Sequence, residues 1–95
     1  MSILKAQNIM INEICSNNFI SYEDSYDEKG DWVEFFNAGS SSVNMAGMYL
    51  TDDFSDLTKY RIPTTNSSQT TISANNHRVY WFDNETYKGP LHANF

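Results

Sequence analysis

Cysteine, histidine and basic residues are scarce in this chain, and each scarcity excludes something. Cys15 is the only cysteine among 95 residues, so no intramolecular disulfide can form and the redox compartment stays open. The basic residues are Lys5, Lys29, Lys59, Arg61, Arg78 and Lys88. They are scattered, and acids outnumber them two to one, for a net charge of −6. A chain with that field repels polyanions, so neither nucleic acid nor an anionic membrane surface is an expected partner. No window approaches the ~20 apolar residues of a membrane span. The N-terminal "MSILKAQNIM" lacks the roughly 7–15-residue apolar stretch of a signal peptide. The two histidines, His77 and His92, stand far from Cys15 in sequence, and there is no G-x-S-x-G, C-x-x-C or H-x-x-x-H. No nucleophile, base and oxyanion donor assemble from such a set, so the chain is not expected to be an enzyme or to carry a cofactor.

What is present is apolar bulk in short alternating runs. Hydrophobic residues make up 40% of the chain, with two Trp, six Tyr and six Phe, which rules out a disordered segment. One domain, 1–95, is expected, and a chain this long buries roughly 60–65% of the surface its unfolded form exposes. The periodicity is mostly two. Strands are predicted over 8–15, 31–37, 42–52 (interrupted at Gly47), 59–63 (stopped by Pro63), 70–73 and 77–82. In "NIMINEIC", Ile9, Ile11 and Glu13 share one face, and Met10, Asn12 and Ile14 the other. Ala74–Asn75–Asn76 reads as the turn of a hairpin joining the last two strands, because asparagine tolerates left-handed conformations. A weak capping pair, Ser21 and Asp24, allows one helical turn between the first two strands. Short strands at 8–12-residue spacing with turn chemistry between them indicate an all-β, antiparallel sandwich.

The carboxylates admit two readings. Glu13 and Glu34 lie in otherwise apolar strands; with Asp31 they offer three oxygens that a hard cation such as calcium could use. The loop "YEDSYDEKGD" adds Glu23, Asp24, Asp27 and Glu28, but does not match the D-x-[DN]-x-[DN]-G spacing. The alternative is a wet strand face with carboxylates accepting backbone N–H bonds at loop ends. In "TDDFSD", Asp52, Asp53 and Asp56 present the same choice between a cation and Asx-turns. Tyr22, Tyr26, Phe54 and Tyr87 fall in loops, where they either seal a core end or offer contact area to a protein or sugar.

The order of segments resembles a family. "INEICSNN" with an acidic loop after it, "DWVEFFNAGSSSVNMAGMYLTDD", "TKYRIP", "TISANNHRVYWF" and "GPLHANF" are together similar to the lamin-tail domain, most of all its bacterial form, over about 8–95. On this resemblance Glu13, Asp31, Trp32, Glu34, Asn37, Gly47, Leu50 and Asp52 fall on pattern positions, none with a catalytic role to inherit. It implies an immunoglobulin-like sandwich serving as a non-catalytic tether or protein-binding module, extracytoplasmic in bacteria. Lamin-tail sequences usually continue past the N-F with another hairpin. The chain ends at Phe95, which implies a truncated piece or a sandwich lacking its last strands. An open edge of that kind favours a homodimer or strand exchange through the C-terminal edge. The competing function is a calcium-dependent adhesive or carbohydrate-binding domain using Glu13, Asp31 and Glu34. A filament piece would need a heptad-bearing rod, and none is here. An accessory domain of a larger secreted hydrolase fits the tether reading equally.

Overall fold

The computed structural model describes residues 2–3, 8–16 and 22–95. Strands dominate, and they pair antiparallel in three small sheets. The strands are β1 (Ser2–Ile3), β2 (Ile9–Cys15), β3 (Trp32–Asn37), β4 (Val43–Asn44), β5 (Tyr49–Thr51), β6 (Tyr60–Arg61), β7 (Thr71–Ile72) and β8 (His77–Trp81). Their orders are β1-β5-β6, β2-β3-β8 and β4-β7. Two short helical turns complete the set, α1 (Ser67–Thr70) and a 3-10 turn over Thr86–Lys88. The predicted 42–52 strand breaks in two at Gly47, whose φ of +84° is a left-handed turn conformation. Of the Ser21–Asp24 pair, Ser21 lies outside the described residues.

Two expectations change. Ala74–Asn75–Asn76 does turn, with Asn75 at φ +60°. It does not join a hairpin, because β7 pairs with β4 while β8 pairs with β3. The physical reason is Asn37 at the end of β3. Its backbone N–H donates to Asn76 O (2.9 Å), its carbonyl accepts from Asn75 N (2.9 Å), and its side-chain Nδ2 donates to Ser41 O (2.8 Å) and Ile72 O (2.9 Å). These bonds fasten the turn to β3, so the chain crosses from one sheet to another there. In β2, a bulge between Ile11 and Glu13 slips the alternation by one. Ile11 pairs with Phe35 and Ile14 with Val33, whereas Glu13 faces Glu34 across the strands. Directly opposite residues share a face, so Ile14 joins Ile9 and Ile11, and Glu13 goes to the far side with Met10.

Both faces of β3 are used. Val33 and Phe35 enter the main core with Ile9, Met45, Leu50, Ile62, Ile72 and Tyr80, drawn from all three sheets. Phe35 and Tyr80 meet edge to face at 5.3 Å. The opposite face carries Trp32, Glu34 and, from β8, Trp81, all buried. Tyr22 covers Trp32 at 4.9 Å, and His92 stacks on Trp81 at 6.2 Å with the rings 13° apart. Segment 91–93 runs parallel to β8, with Trp81 N donating to Leu91 O (2.7 Å) and Ala93 N to Trp81 O (2.8 Å). The cover on this second face is therefore made by loops, and the loops bring the charged groups together.

Candidate functional site

Two polar segments meet over Trp81. In the first, 22–30, Asp24 acts as an Asx-turn: its Oδ1 accepts from Tyr26 N (2.8 Å) and Glu28 N (3.0 Å). Asp24 N donates to Glu28 O (2.8 Å), and Asp27 takes φ +58° to close the turn. One oxygen of Asp24 is thus spent on the loop, and Oδ2 points inward. In the second segment Asp83 accepts from Glu85 N (3.1 Å), Asn84 takes φ +57°, and the 3-10 turn brings Lys88 back toward the sheet. Gly89 at φ +124° and His92 N donating to Gly89 O (3.1 Å) return the chain to the β8 edge.

The segments meet at the Lys88 ammonium, whose side chain is only 1% exposed. Its Nζ lies 2.6 Å from Glu28, 2.8 Å from Asp24, 3.2 Å from Glu85 and 3.7 Å from Asp83. Burial alone lowers the Lys88 pKa, but Asp24, Glu28 and Glu85 outweigh it and hold the group well above the ordinary lysine range. Burial likewise raises Asp24, yet the Lys88 bond and the Glu28 and Tyr26 amides keep its carboxyl below the usual value. Glu85 is lowered by hydrogen bonds from the Tyr87 hydroxyl (2.7 Å) and Lys88. An amine held this firmly protonated is neither a base nor a nucleophile, and carboxylates held ionised are poor proton donors at neutral pH. The cluster is a clamp.

Beside it, His92 Nδ1 stands 2.8 Å from Asp83 Oδ2, both side chains being buried. A cavity of about 160 Å³ lined by Ser25, Gln69, Trp81, Lys88, Leu91 and His92 opens next to this pair. Asp24, Asp83 and His92 form the one group of three metal-ligand side chains, among the described residues, whose ligand atoms lie within 4.8 Å of one another. The Lys88 ammonium already sits against both carboxylates, so the cation they gather around belongs to the chain itself. A larger hollow, about 510 Å³, lies elsewhere, against Asn44, Gly47, Met48 and Arg61. No histidine, carboxylate or cysteine lines it.

The acids singled out by sequence fare differently. Glu13, Asp31 and Glu34 do not gather into one ligand group. Glu13 is exposed, whereas Glu34 is buried and accepts from Asn12 Nδ2 (2.7 Å), with exposed His77 Nε2 3.8 Å from its other oxygen. Asp31 precedes β3 and its carbonyl accepts from Phe82 N (2.8 Å). Glu13 lies opposite Glu34 across the strands, yet the group bonded to the Glu34 carboxylate is the amide of Asn12, the bulge residue. In the 51–56 loop, Asp53 forms the expected Asx-turn, its Oδ1 accepting from Ser55 N (2.9 Å) and Ser55 Oγ (2.7 Å), whereas Asp52 pairs with Lys59 (2.8 Å). Sequence reasoning did not single out Lys88, Asp83 or the His92–Asp83 pair. Only the acidic loop 22–31 carried a signal, as a supply of cation-binding oxygens.

Of the four loop aromatics, Tyr22 covers Trp32, and Phe54 is the most exposed large hydrophobic residue among the described residues. Tyr26 and Tyr87 stand together over the clamp, 50% and 71% exposed, edge to face at 6.2 Å. Lys88 Nζ lies 5.2 Å from the Tyr26 ring centre. Compared with known family models, curated proteins and solved structures, the chain matches none of them.

Proposed function

We propose that this chain is a non-catalytic interaction module: an immunoglobulin-like antiparallel sandwich of lamin-tail type that binds a protein partner at the loop end bearing Tyr26 and Tyr87. One observation carries the reading. The charged groups clustered at that end hold one another in a buried clamp, while the two tyrosines above it stay exposed as a fixed pair. Tyrosines immobilised before binding lose little further entropy on contact, which is how interface hot spots are built. The sandwich part is supported by a core drawn from all three sheets and by the crossing at Asn75. The adhesive alternative needs Glu13, Asp31 and Glu34 on one cation, and the Glu34 carboxylate is already bonded to the Asn12 amide.

A photo-crosslinking residue at position 26 or 87, expressed in the source cells, tests the reading. A single protein adduct is expected, competed by unmodified chain and not by the Tyr26→Ala/Tyr87→Ala variant. Equal competition by that variant would overturn it. The same reading includes a homodimer through the C-terminal edge, beside segment 91–93. Light scattering that returns a monomer at high concentration removes that part.

A further inference from the structure

The end of the molecule that carries Tyr26 and Tyr87 is charged as well as aromatic. Segments 22–30 and 83–88 hold six of the chain's twelve acidic residues and two lysines, Lys29 and Lys88. Within the clamp, four carboxylates surround a single ammonium, so these five groups leave three negative charges over. Two of those carboxylates reach the surface: the side chains of Glu28 and Glu85 are 57% and 32% exposed. Both point their excess field toward the tyrosine pair. Glu85 Oε2 accepts the Tyr87 hydroxyl at 2.7 Å, and that bond raises the phenol pKa. A phenol donating to a carboxylate carries a more electron-rich ring, which strengthens its face as a partner for a cation.

The molecule already shows what this surface accepts. The Lys88 ammonium lies 5.2 Å from the Tyr26 ring centre on the inner side, bonded to Glu28 and Glu85. Away from Lys88 the pair stays open to solvent: Tyr26 and Tyr87 are 50% and 71% exposed with ring planes at 85°, and Glu85 is bonded to the Tyr87 hydroxyl. We infer that the Tyr26–Tyr87 corner receives a lysine or arginine side chain from a basic segment of the partner protein, with Glu28 and Glu85 as its counter-charges. The inference rests on the interaction-module reading and adds the chemistry of the partner. Each cation–π contact at an exposed site is small, so recognition by one side chain is weak and salt-sensitive, and a run of basic residues is what gains from a face this acidic.

The test is a 1H–15N titration of the chain with three capped tetrapeptides: Lys-Arg-Lys-Arg, a norleucine–citrulline counterpart without charge, and Glu-Asp-Glu-Asp. Only the first is expected to bind, with shifts confined to residues around 26–28 and 85–88 and a several-fold loss of affinity between about 20 and 300 mM salt. Tyr26→Ala and Tyr87→Ala should each weaken it about two- to fivefold, and Glu85→Gln comparably, without disturbing the remaining spectrum. Equal binding of the uncharged peptide, shifts spread over the whole acidic surface, or no shift at millimolar peptide overturns the inference. So do concentration-dependent shifts at these amides without peptide, which would assign the corner to a second copy of the chain. If crosslinking at 26 and 87 still finds its competed partner while the basic peptide fails, the module reading stands and only the cationic partner falls. If the peptide binds but the tyrosine variant competes fully, the module reading falls instead.

Discussion

Lys88 is a residue whose ordinary role, a solvated surface charge, is inverted by its neighbours. Its burial is tolerable because three carboxylates lie within 3.2 Å of the ammonium, and removing it would leave them facing one another. Lys88→Met keeps the volume and removes the charge. We expect it to lower stability by about 3 kcal/mol, the low end for a broken buried pair because Glu28 and Glu85 retain water contact. Thermal unfolding should show a fall in Tm on the order of 10–20 °C, and an unchanged Tm would mean that the clamp holds nothing. Tyr80 poses the opposite case. Its hydroxyl is buried with no hydrogen-bond partner among the described residues, and burial pushes its pKa upward. Tyr80→Phe removes an unsatisfied polar atom while keeping the ring against Phe35. The variant should be as stable as the parent or more stable, by up to about 1 kcal/mol in denaturant unfolding. A clear loss would mean that the hydroxyl has a partner.

At the scale of elements, chain direction is set by a few turns more than by strand propensity. The β7–β8 connection contains an asparagine in the left-handed region, and its flanking amide and carbonyl are tied to Asn37. Asn75→Gly keeps that conformation without steric cost and should leave the unfolding midpoint nearly unchanged. Asn75→Val puts a β-branched side chain at φ +60° and should cost about 1–2 kcal/mol. Equal midpoints for the two variants would show that the turn can re-form elsewhere. The bulge in β2 works in the same way. By slipping one residue it brings Ile14 opposite Val33 and Glu13 opposite Glu34, although Ile14 stays 59% exposed and the buried Glu34 carboxylate is bonded by the Asn12 amide.

For the whole molecule, the shifted groups define a pH window. Burial pushes the Tyr60 phenol up to about 12 and raises Tyr80 further, while carboxylates raise Lys88. In the unfolded chain tyrosine and lysine lose their protons near 10 to 10.5. A group whose folded pKa is raised stabilises fully below its unfolded value and loses that contribution as pH climbs toward the folded value. Stability should therefore decline from about pH 10 toward pH 12. Asp24 and Glu85 are depressed, so their contribution is present above pH ~4 and disappears as acid protonates them in the folded state. Denaturant melts from pH 3 to 12, with phenolate absorbance followed at the alkaline end, check both limbs. A flat alkaline limb would contradict the burial of Tyr60 and Tyr80.

The sequence alone placed most strands and turns, though not β1 or the helical turn over Ser67–Thr70, because alternation of period two and asparagine, glycine and proline punctuation act within a few residues. It also set the net charge of −6, a sum that folding does not change. Tertiary structure decided what the turns connect. Asn75 is turn-forming by its own chemistry, but only Asn37, 38 positions earlier, determines that the turn leaves one sheet for another. The charged site was decided the same way. Asp24 and Lys88 are 64 residues apart, and nothing in either local stretch marks them as partners. The acidic loop announced oxygens seeking a cation. That the cation is the chain's own lysine follows only from two loops meeting over Trp81, where an ammonium out of water requires its counter-charges at hydrogen-bond distance.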